Sequence, residues 1–296
     1  MTKNILLLFI AVVAVSWAAI FIKLTGAPPL ATAFYRMSFA TLFILPLALK
    51  KSLPEILKIR GKVLIVTLFS GIFLGIHFAT WITSLDYTSI SNSVVLVTTQ
   101  PIWVAILSHF LLKEKVNLFT LSAILLALSG SFIISGGDFK IAEANFFGDI
   151  LALIGAVTAA AYLLCGRVVR QSLSLIAYIF LVYFISAFVL GILCVIWGTH
   201  LYPYPPKTFL WFILLGLVPT IIGHTLYNWA LKYLKAYLVA INILGEPVGA
   251  TILAYLIFKQ IPPTLTYLGA AAIFAGIFLV FWSHRKVQPE KEHPDF

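Results

Sequence analysis

Glu246 is the one charged residue in "AYLVAINILGEPVGATILAYLIF" (236–258), and Pro247 follows it at once. A charge at the centre of an apolar helix costs about 2.5–3.5 kcal/mol on insertion scales, so such a carboxyl faces a polar cavity, finds a partner or takes up a proton. Burial favours its neutral form, which still donates a hydrogen bond. Pro247 has no N–H to give, which frees the carbonyl of Ile243, and Asn242 stands one turn before Glu246 on the same face. Two roles fit: a polar bridge between helices, or a group that lines or gates a path and carries a proton along it.

Other residues of this kind fall at helical spacing inside apolar runs. His77 and Trp81 are four apart, as are His224 and Asn228, with Tyr227 beside them. Each group puts imidazole and aromatic or amide chemistry on one helix face, for an interhelical hydrogen bond or for a cavity wall. Two histidines on different segments, with no acidic or thiol partner at ligand spacing, make a poor metal site. Trp103 lies close to Gln100 and Pro101. It is too deep for an interfacial tryptophan belt. Trp17 and Tyr162 are comparably deep and join Trp81, Trp103 and Tyr227 as core packing or as walls around an amphipathic ligand, where rings supply contact and a few polar groups fix orientation. Trp197 and Trp282 sit at segment ends and read as interface anchors. Arg36, about six residues into its segment, either snorkels outward or anchors a substrate carboxylate.

The elements that must hold these residues are membrane helices. The chain has 296 residues, 61% of them hydrophobic and 10% charged. Soluble domains carry about 25% charged residues. Runs long enough to cross about 30 Å of hydrocarbon recur from end to end. They give ten spans: 4–23, 30–49, 63–84, 90–112, 117–135, 147–166, 174–197, 208–231, 236–258 and 264–283. The first is read as an uncleaved helix rather than a signal peptide, since "KLTGAPP" is a poor cleavage site. Cys165 and Cys194 lie within spans and read as packing residues. The small-residue runs 71–75, 155–161 and 269–276 read as close helix contacts.

The net charge of +10 follows topology rather than a nucleic-acid partner. With the N-terminus in the cytoplasm, fifteen basic residues fall inside (3, 50, 51, 58, 60, 62, 113, 115, 167, 170, 232, 235, 285, 286 and 291) and four outside (Lys23, Lys140, Lys207 and Lys259). This is the positive-inside bias, and it puts both termini in the cytoplasm. The segment 50–62 reads as a basic interfacial stretch and 284–296 as a solvated cytoplasmic tail.

Residues 100–134 align without gaps to 246–280, with Pro101 on Pro247, Lys113 on Lys259, Thr120 on Thr266 and Gly130 on Gly276. "GIHFATW" (75–81) also aligns to "GHTLYNW" (223–229). Five spans per half is an odd number, so the second half must enter the membrane from the opposite side. The fold expected is therefore an all-α membrane protein of ten transmembrane helices in two inverted five-helix repeats, 4–136 and 147–283. Ser16-Trp17, "FYR" at 34–36, Pro101 and "EP" at 246–247 together make the chain similar to the drug/metabolite transporter superfamily, and within it to EamA-type exporters that include YddG-like aromatic amino acid exporters. Two features depart from that pattern: "QP" stands in the first half against "EP" in the second, and "KEK" at 113–115 replaces a frequent Gly-Glu.

That resemblance implies alternating access near the midplane, with Trp17, Arg36, His77, Trp81, Gln100, Trp103, Tyr162, His224, Tyr227, Asn228, Asn242 and Glu246 as candidate substrate-binding residues and Glu246, Pro101 and Pro247 as coupling or gating residues. The expected function is export of a small amphipathic metabolite, an aromatic or other neutral amino acid first, across the cytoplasmic membrane of a prokaryote. Drug-like cations, nucleosides and sugars are the alternatives on the same fold, and a membrane-embedded enzyme or a non-transporting scaffold is the rival from another class. The expected partners are that substrate, the bilayer and protons as coupling ion, with the chain a monomer or homodimer. No cofactor, metal, catalytic residue or nucleic acid is expected. No nucleotide-binding loop, dinucleotide fingerprint or zinc-protease motif is present, which argues against a membrane-embedded enzyme.

Overall fold

Long apolar runs in lipid must satisfy every backbone N–H and C=O internally, and a helix does this within one segment. The computed structural model describes residues 2–287 apart from 89, 115, 135–145, 260 and 263, and among the described residues every regular element is a helix. Lys115, Lys140, Lys291 and the tail beyond residue 287 lie outside the described residues.

The chain runs α1 (Thr2–Thr25), α2 (Pro29–Lys51), the short α3 (Leu53–Lys58) and α4 (Gly61–Tyr87). Next come α5 (Ile90–Val97), α6 (Gln100–Leu111), α7 (Leu118–Ile134), α8 (Phe146–Val169) and α9 (Leu175–Ile196). Then α10 (Pro206–Leu215) passes through a π-helical segment (Gly216–His224) into α11 (Thr225–Ala230). Last are α12 (Ala236–Ile243), α13 (Glu246–Phe258) and α14 (Leu265–Val287). These elements supply nine helical stretches, among the described residues, with the length and apolarity to cross a bilayer. The remaining expected span, 117–135, forms α7, a 17-residue apolar helix.

Three of the spans read as continuous are interrupted. In 236–258 the break precedes Pro247: Gly245 N–H donates to the Asn242 carbonyl at 2.9 Å, a tightened turn, and Glu246 and Pro247 open α13. Proline is at home there because the first N–H groups of a helix have no intrahelical acceptor. Gln100 and Pro101 open α6 in the same way after a tightened turn at Thr98–Thr99. In 208–231 the interruption is the π-helical segment, which contains Pro219. There the Thr220 hydroxyl donates to the Leu215 carbonyl, five residues back, at 2.9 Å.

Helices meet most closely where side chains vanish. A Cβ on Gly130 of α7 would lie 2.4 Å from the carbonyl oxygen of Gly269 in α14, so those backbones touch. One on Gly249 would lie 2.0 Å from the Ser16 hydroxyl, which fixes α1 against the start of α13. Among the pairings, α4 packs on α8 and α9, and α1 on the π segment, α10 and α13. The π segment and α10 also pack on α2. α2 packs on α9, α7 on α14, α6 on α8 and α12 on α6. Just beyond the ends of α6 and α13 stands a lysine with left-handed backbone, Lys113 (φ 54°) and Lys259 (φ 57°).

The two ends of the bundle are tied by polar contacts. At the end that carries Lys113, Arg167 pairs with Glu114 (3.2 Å) and donates to the Leu231 carbonyl, while the other Glu114 oxygen accepts from Ala236 N–H, the first residue of α12. Glu55 of α3 accepts from the N–H and hydroxyl of Ser174, which caps α9. At the opposite end, which carries Gly26, the Thr88 hydroxyl donates to Asp149 at 2.7 Å.

Candidate functional site

Between these ends lies a cavity of about 40 Å³ whose walls come from α1, α2, α4, α5, α6, α8, the π segment, α11, α12 and α13. Eight of the expected residues line it: Arg36, His77, Trp81, Gln100, Tyr162, His224, Tyr227 and Glu246. Gln100 and Glu246 arrive there by the same device, as the opening residue of a helix that restarts mid-span. The volume has room for water but not for a drug-sized ligand, which fills a pocket of about 300–1,000 Å³.

Arg36 is 1% exposed and does not snorkel to the membrane surface. Its guanidinium sits 4.0 Å from the centroid of the Phe78 ring, and Nε donates to the Thr220 hydroxyl at 2.9 Å. A desolvated cation–π contact of this kind is worth on the order of 2 kcal/mol. The π segment matters here: it places Thr220 where Arg36 can reach it, and Tyr183 OH donates to the Thr220 carbonyl from the other side at 3.3 Å. Glu246, the one carboxylate on the cavity, shares the wall with Arg36 but forms no ion pair with it.

Aromatic rings line the same cavity as Arg36 and Glu246. His77 stacks on Trp81 (5.8 Å between centroids), and His224 packs edge-on against Phe78 (5.4 Å) and near Tyr162 and Tyr227. His77 Nδ1–H donates to the Gly155 carbonyl at 2.9 Å, which leaves Nε2 of the neutral ring as an acceptor. Four buried polar atoms of these lining residues have no hydrogen-bond partner among the described residues: Arg36 Nη1, Trp81 Nε1, His224 Nδ1 and Tyr227 OH. Each such atom costs about 1–3 kcal/mol when it stays unpaired. All four belong to residues that line this one cavity, so unmet hydrogen-bonding capacity is concentrated there.

The other four expected residues do not line the cavity. Asn228 stands behind the wall, where its Nδ2 donates to Tyr162 OH at 2.6 Å. Asn242 is turned back on its own helix, with Nδ2 donating to the Leu238 carbonyl at 2.6 Å, because the tightened turn before Glu246 ends the register that would have aligned the two. Trp103 donates to the Thr99 hydroxyl (3.3 Å), and Trp17 stacks on Phe21 (5.2 Å). Pro101 and Pro247 are buried at the two helix restarts. Sequence reading missed Phe78, Thr220, Thr98 and the small residues Val15, Ala18 and Ala159, of which all but Phe78 and Thr220 line the cavity. "VPTIIGH" (218–224), with a proline and a threonine one turn before His224, held a signal for Thr220.

The family model for the EamA-like transporter family matches this chain twice, over residues 2–136 and 146–282. The chain belongs to the EamA-like transporter family. An uncharacterized transporter of Archaeoglobus fulgidus is 26% identical over 269 residues, which cover 89% of this chain and 90% of the relative. The uncharacterized transporter YetK of Bacillus subtilis is 26% identical, covering 86% and 78%, and YoaV of the same organism is 24% identical, covering 92% and 94%. A crystal structure with 18% sequence identity superposes with a TM-score of 0.79 over 98% of this chain and 100% of its own, which shows a shared fold. As an EamA-like protein the chain is a multi-pass membrane protein whose family implies a small-molecule substrate and a lipid bilayer around it. Where the expected family pattern has Gly-Glu, this member has Lys113-Glu114: the lysine takes the left-handed backbone a glycine would take without strain, and Glu114 holds Arg167.

Proposed function

We propose that this EamA-like protein is a secondary transporter that exports zwitterionic amphipathic metabolites, aromatic or other neutral amino acids first, by alternating access through the Arg36–Glu246 cavity. The observation that carries this reading is the cavity's chemistry: one cation and one carboxylate unpaired with each other, four unsatisfied polar atoms and a surround of aromatic rings. A carboxylate ligand suits Arg36 Nη1 and the N–H of Trp81, while Glu246 receives an ammonium and the rings take an apolar side chain. Arg36 also argues against a drug-like cation, since it would oppose a second positive charge in a dry site.

The architecture we infer is ten spans in two inverted repeats, 4–136 and 147–283, with both termini and the tail 284–296 in the cytoplasm, in the cytoplasmic membrane of a prokaryote. Support comes from the helix pairings. Replacing each span by the one five later turns third-with-sixth into eighth-with-first, third-with-seventh into eighth-with-second and fourth-with-sixth into ninth-with-first, and leaves second-with-seventh, fifth-with-tenth and fourth-with-ninth as they are. The matched restarts at Gln100 and Glu246 and the matched left-handed Lys113 and Lys259 add to it. Protons are the proposed coupling ion and Glu246 the carrier. A YddG-like preference for aromatic amino acids, as monomer or homodimer, completes the proposal.

Purified protein in proteoliposomes loaded with unlabelled phenylalanine or tryptophan should take up the labelled amino acid by counterflow, with saturation and no chemical conversion. Saturable flux of nucleosides or quaternary ammonium ions without amino-acid flux would overturn the substrate, and conversion without flux would overturn the transporter.

A further inference from the structure

A second cavity, about 330 Å³, opens at the end of the bundle that carries Gly26. Its walls include Ala19, Ile22 and Lys23 of α1 and Ile82, Leu85 and Asp86 of α4. These follow directly along the same two helices after Ala18 and Trp81, which line the central cavity, so the two spaces adjoin along the bundle. Trp81 and Ile82, 5% and 1% exposed, close the layer between them. In this conformation the central cavity holds only water-sized guests, whereas the outer one has the volume of an amino-acid or drug-sized site.

Its charges are arranged for a dipolar guest. Lys23 and Asp86 stand on separate helices and form no ion pair with each other. The Lys23 ammonium lies over the Phe258 ring, 5.2 Å from its centroid, a contact it keeps while a donor direction stays free. Asp86 is exposed and, among the described residues, makes no hydrogen bond or ion pair. Two opposite, solvent-accessible charges on a chamber that otherwise consists largely of Ala, Ile, Leu, Gly and Pro make a template for an ammonium, a carboxylate and an apolar side chain together.

We propose that this vestibule is a second, peripheral ligand site that takes zwitterionic amino acids, with Lys23 on the carboxylate and Asp86 on the ammonium, next to the central cavity on the transport path. The substrate class rests on the function proposed above. The geometry of the vestibule does not.

The probe is 4-fluorophenylalanine, followed by ¹⁹F NMR on the full chain in nanodiscs. Wild type is compared with Lys23→Gln and Asp86→Asn, both at exposed positions, and with the near-isosteric Glu246→Gln, each variant first matched to wild type by thermal melting. Two classes of bound ligand are expected. Lys23→Gln or Asp86→Asn should weaken one class about tenfold, the value of a charged hydrogen bond, and leave the other. Glu246→Gln should do the converse. A single class lost with Glu246→Gln and indifferent to residues 23 and 86 overturns the vestibule and leaves the central site standing. A single class that depends on Lys23 and Asp86 but not on Glu246 supports the vestibule and overturns the central reading. No binding to wild type overturns both.

Discussion

Arg36 is buried at 1% exposure in a membrane helix, and its surroundings explain how the fold tolerates it. The Phe78 face takes the guanidinium plane and Thr220 takes Nε, which leaves Nη1 and Nη2 without a hydrogen bond among the described residues. Lysine has no such plane, so Arg36→Lys should lower counterflow of phenylalanine about ten- to a hundredfold while the protein still inserts and melts normally. Unchanged flux would remove Arg36 from substrate recognition. Glu246 is the second test. The other titratable groups on its cavity are Arg36, His77, Tyr162, His224 and Tyr227, and of all these Glu246 alone carries a negative charge when ionised in the ordinary pH range. Glu246→Gln should therefore flatten the pH dependence of transport, measured as flux against imposed pH gradients, with the protein still in the membrane. Glu246 was legible in sequence because a lone carboxyl in a largely apolar segment of 23 residues needs a reason. Phe78 was not, since one phenylalanine among 24 has no mark until a cation is seen to rest on it.

The helices themselves were legible from apolar length, and their interruptions were not. Proline in a long apolar run does not mark one kind of fault: the helix restarts with proline in its first turn at Pro101 and Pro247, widens into a π segment at Pro219, and runs on unbroken past Pro46 in α2. Which one occurs depends on neighbours, and at Glu246 the neighbour is α1. Gly249 lies one turn into α13 with no room for a side chain, because Ser16 fills that space and also donates toward the Glu246 carbonyl at 3.4 Å. Gly249→Ala should destabilise the protein by about 1–3 kcal/mol, the usual cost of overpacking, read as a lower melting temperature in detergent. Ser16→Gly should recover part of the loss in the double variant, a coupling that non-contacting residues would not show. The α7–α14 pair rests on the same principle at Gly130 and Gly269. The small-residue run 269–276 announced that contact in the sequence, although it could not name the partner helix.

For the molecule as a whole, handedness across the membrane depends on charge, and charge is distributed unevenly between the two ends. Lys50, Lys51, Lys58, Arg60, Lys62, Lys113, Arg167, Arg170, Lys232 and Lys235 gather at one end of the described bundle, against Lys23, Lys207 and Lys259 at the other. The basic end is also the one latched across three connections by Arg167, Glu114 and the first N–H of α12. The vestibule opens at the opposite, basic-poor end. Positive charge on short loops stays on the cytoplasmic side, so the latched end should face the cytoplasm and the vestibule the outside. This fixes the direction in which a substrate released through the vestibule would leave, and it can be tested without any substrate. Leu57 of α3 is 70% exposed at the basic end, and Tyr202, in the connection between α9 and α10, is 75% exposed at the other. With Cys165 and Cys194 replaced by alanine, a cysteine at 202 should react with an impermeant maleimide in intact cells, and one at 57 only after the membrane is opened. The reverse pattern would turn the molecule over, and labelling of both in intact cells would mean an even number of crossings between the two loops, against the five that the repeat requires.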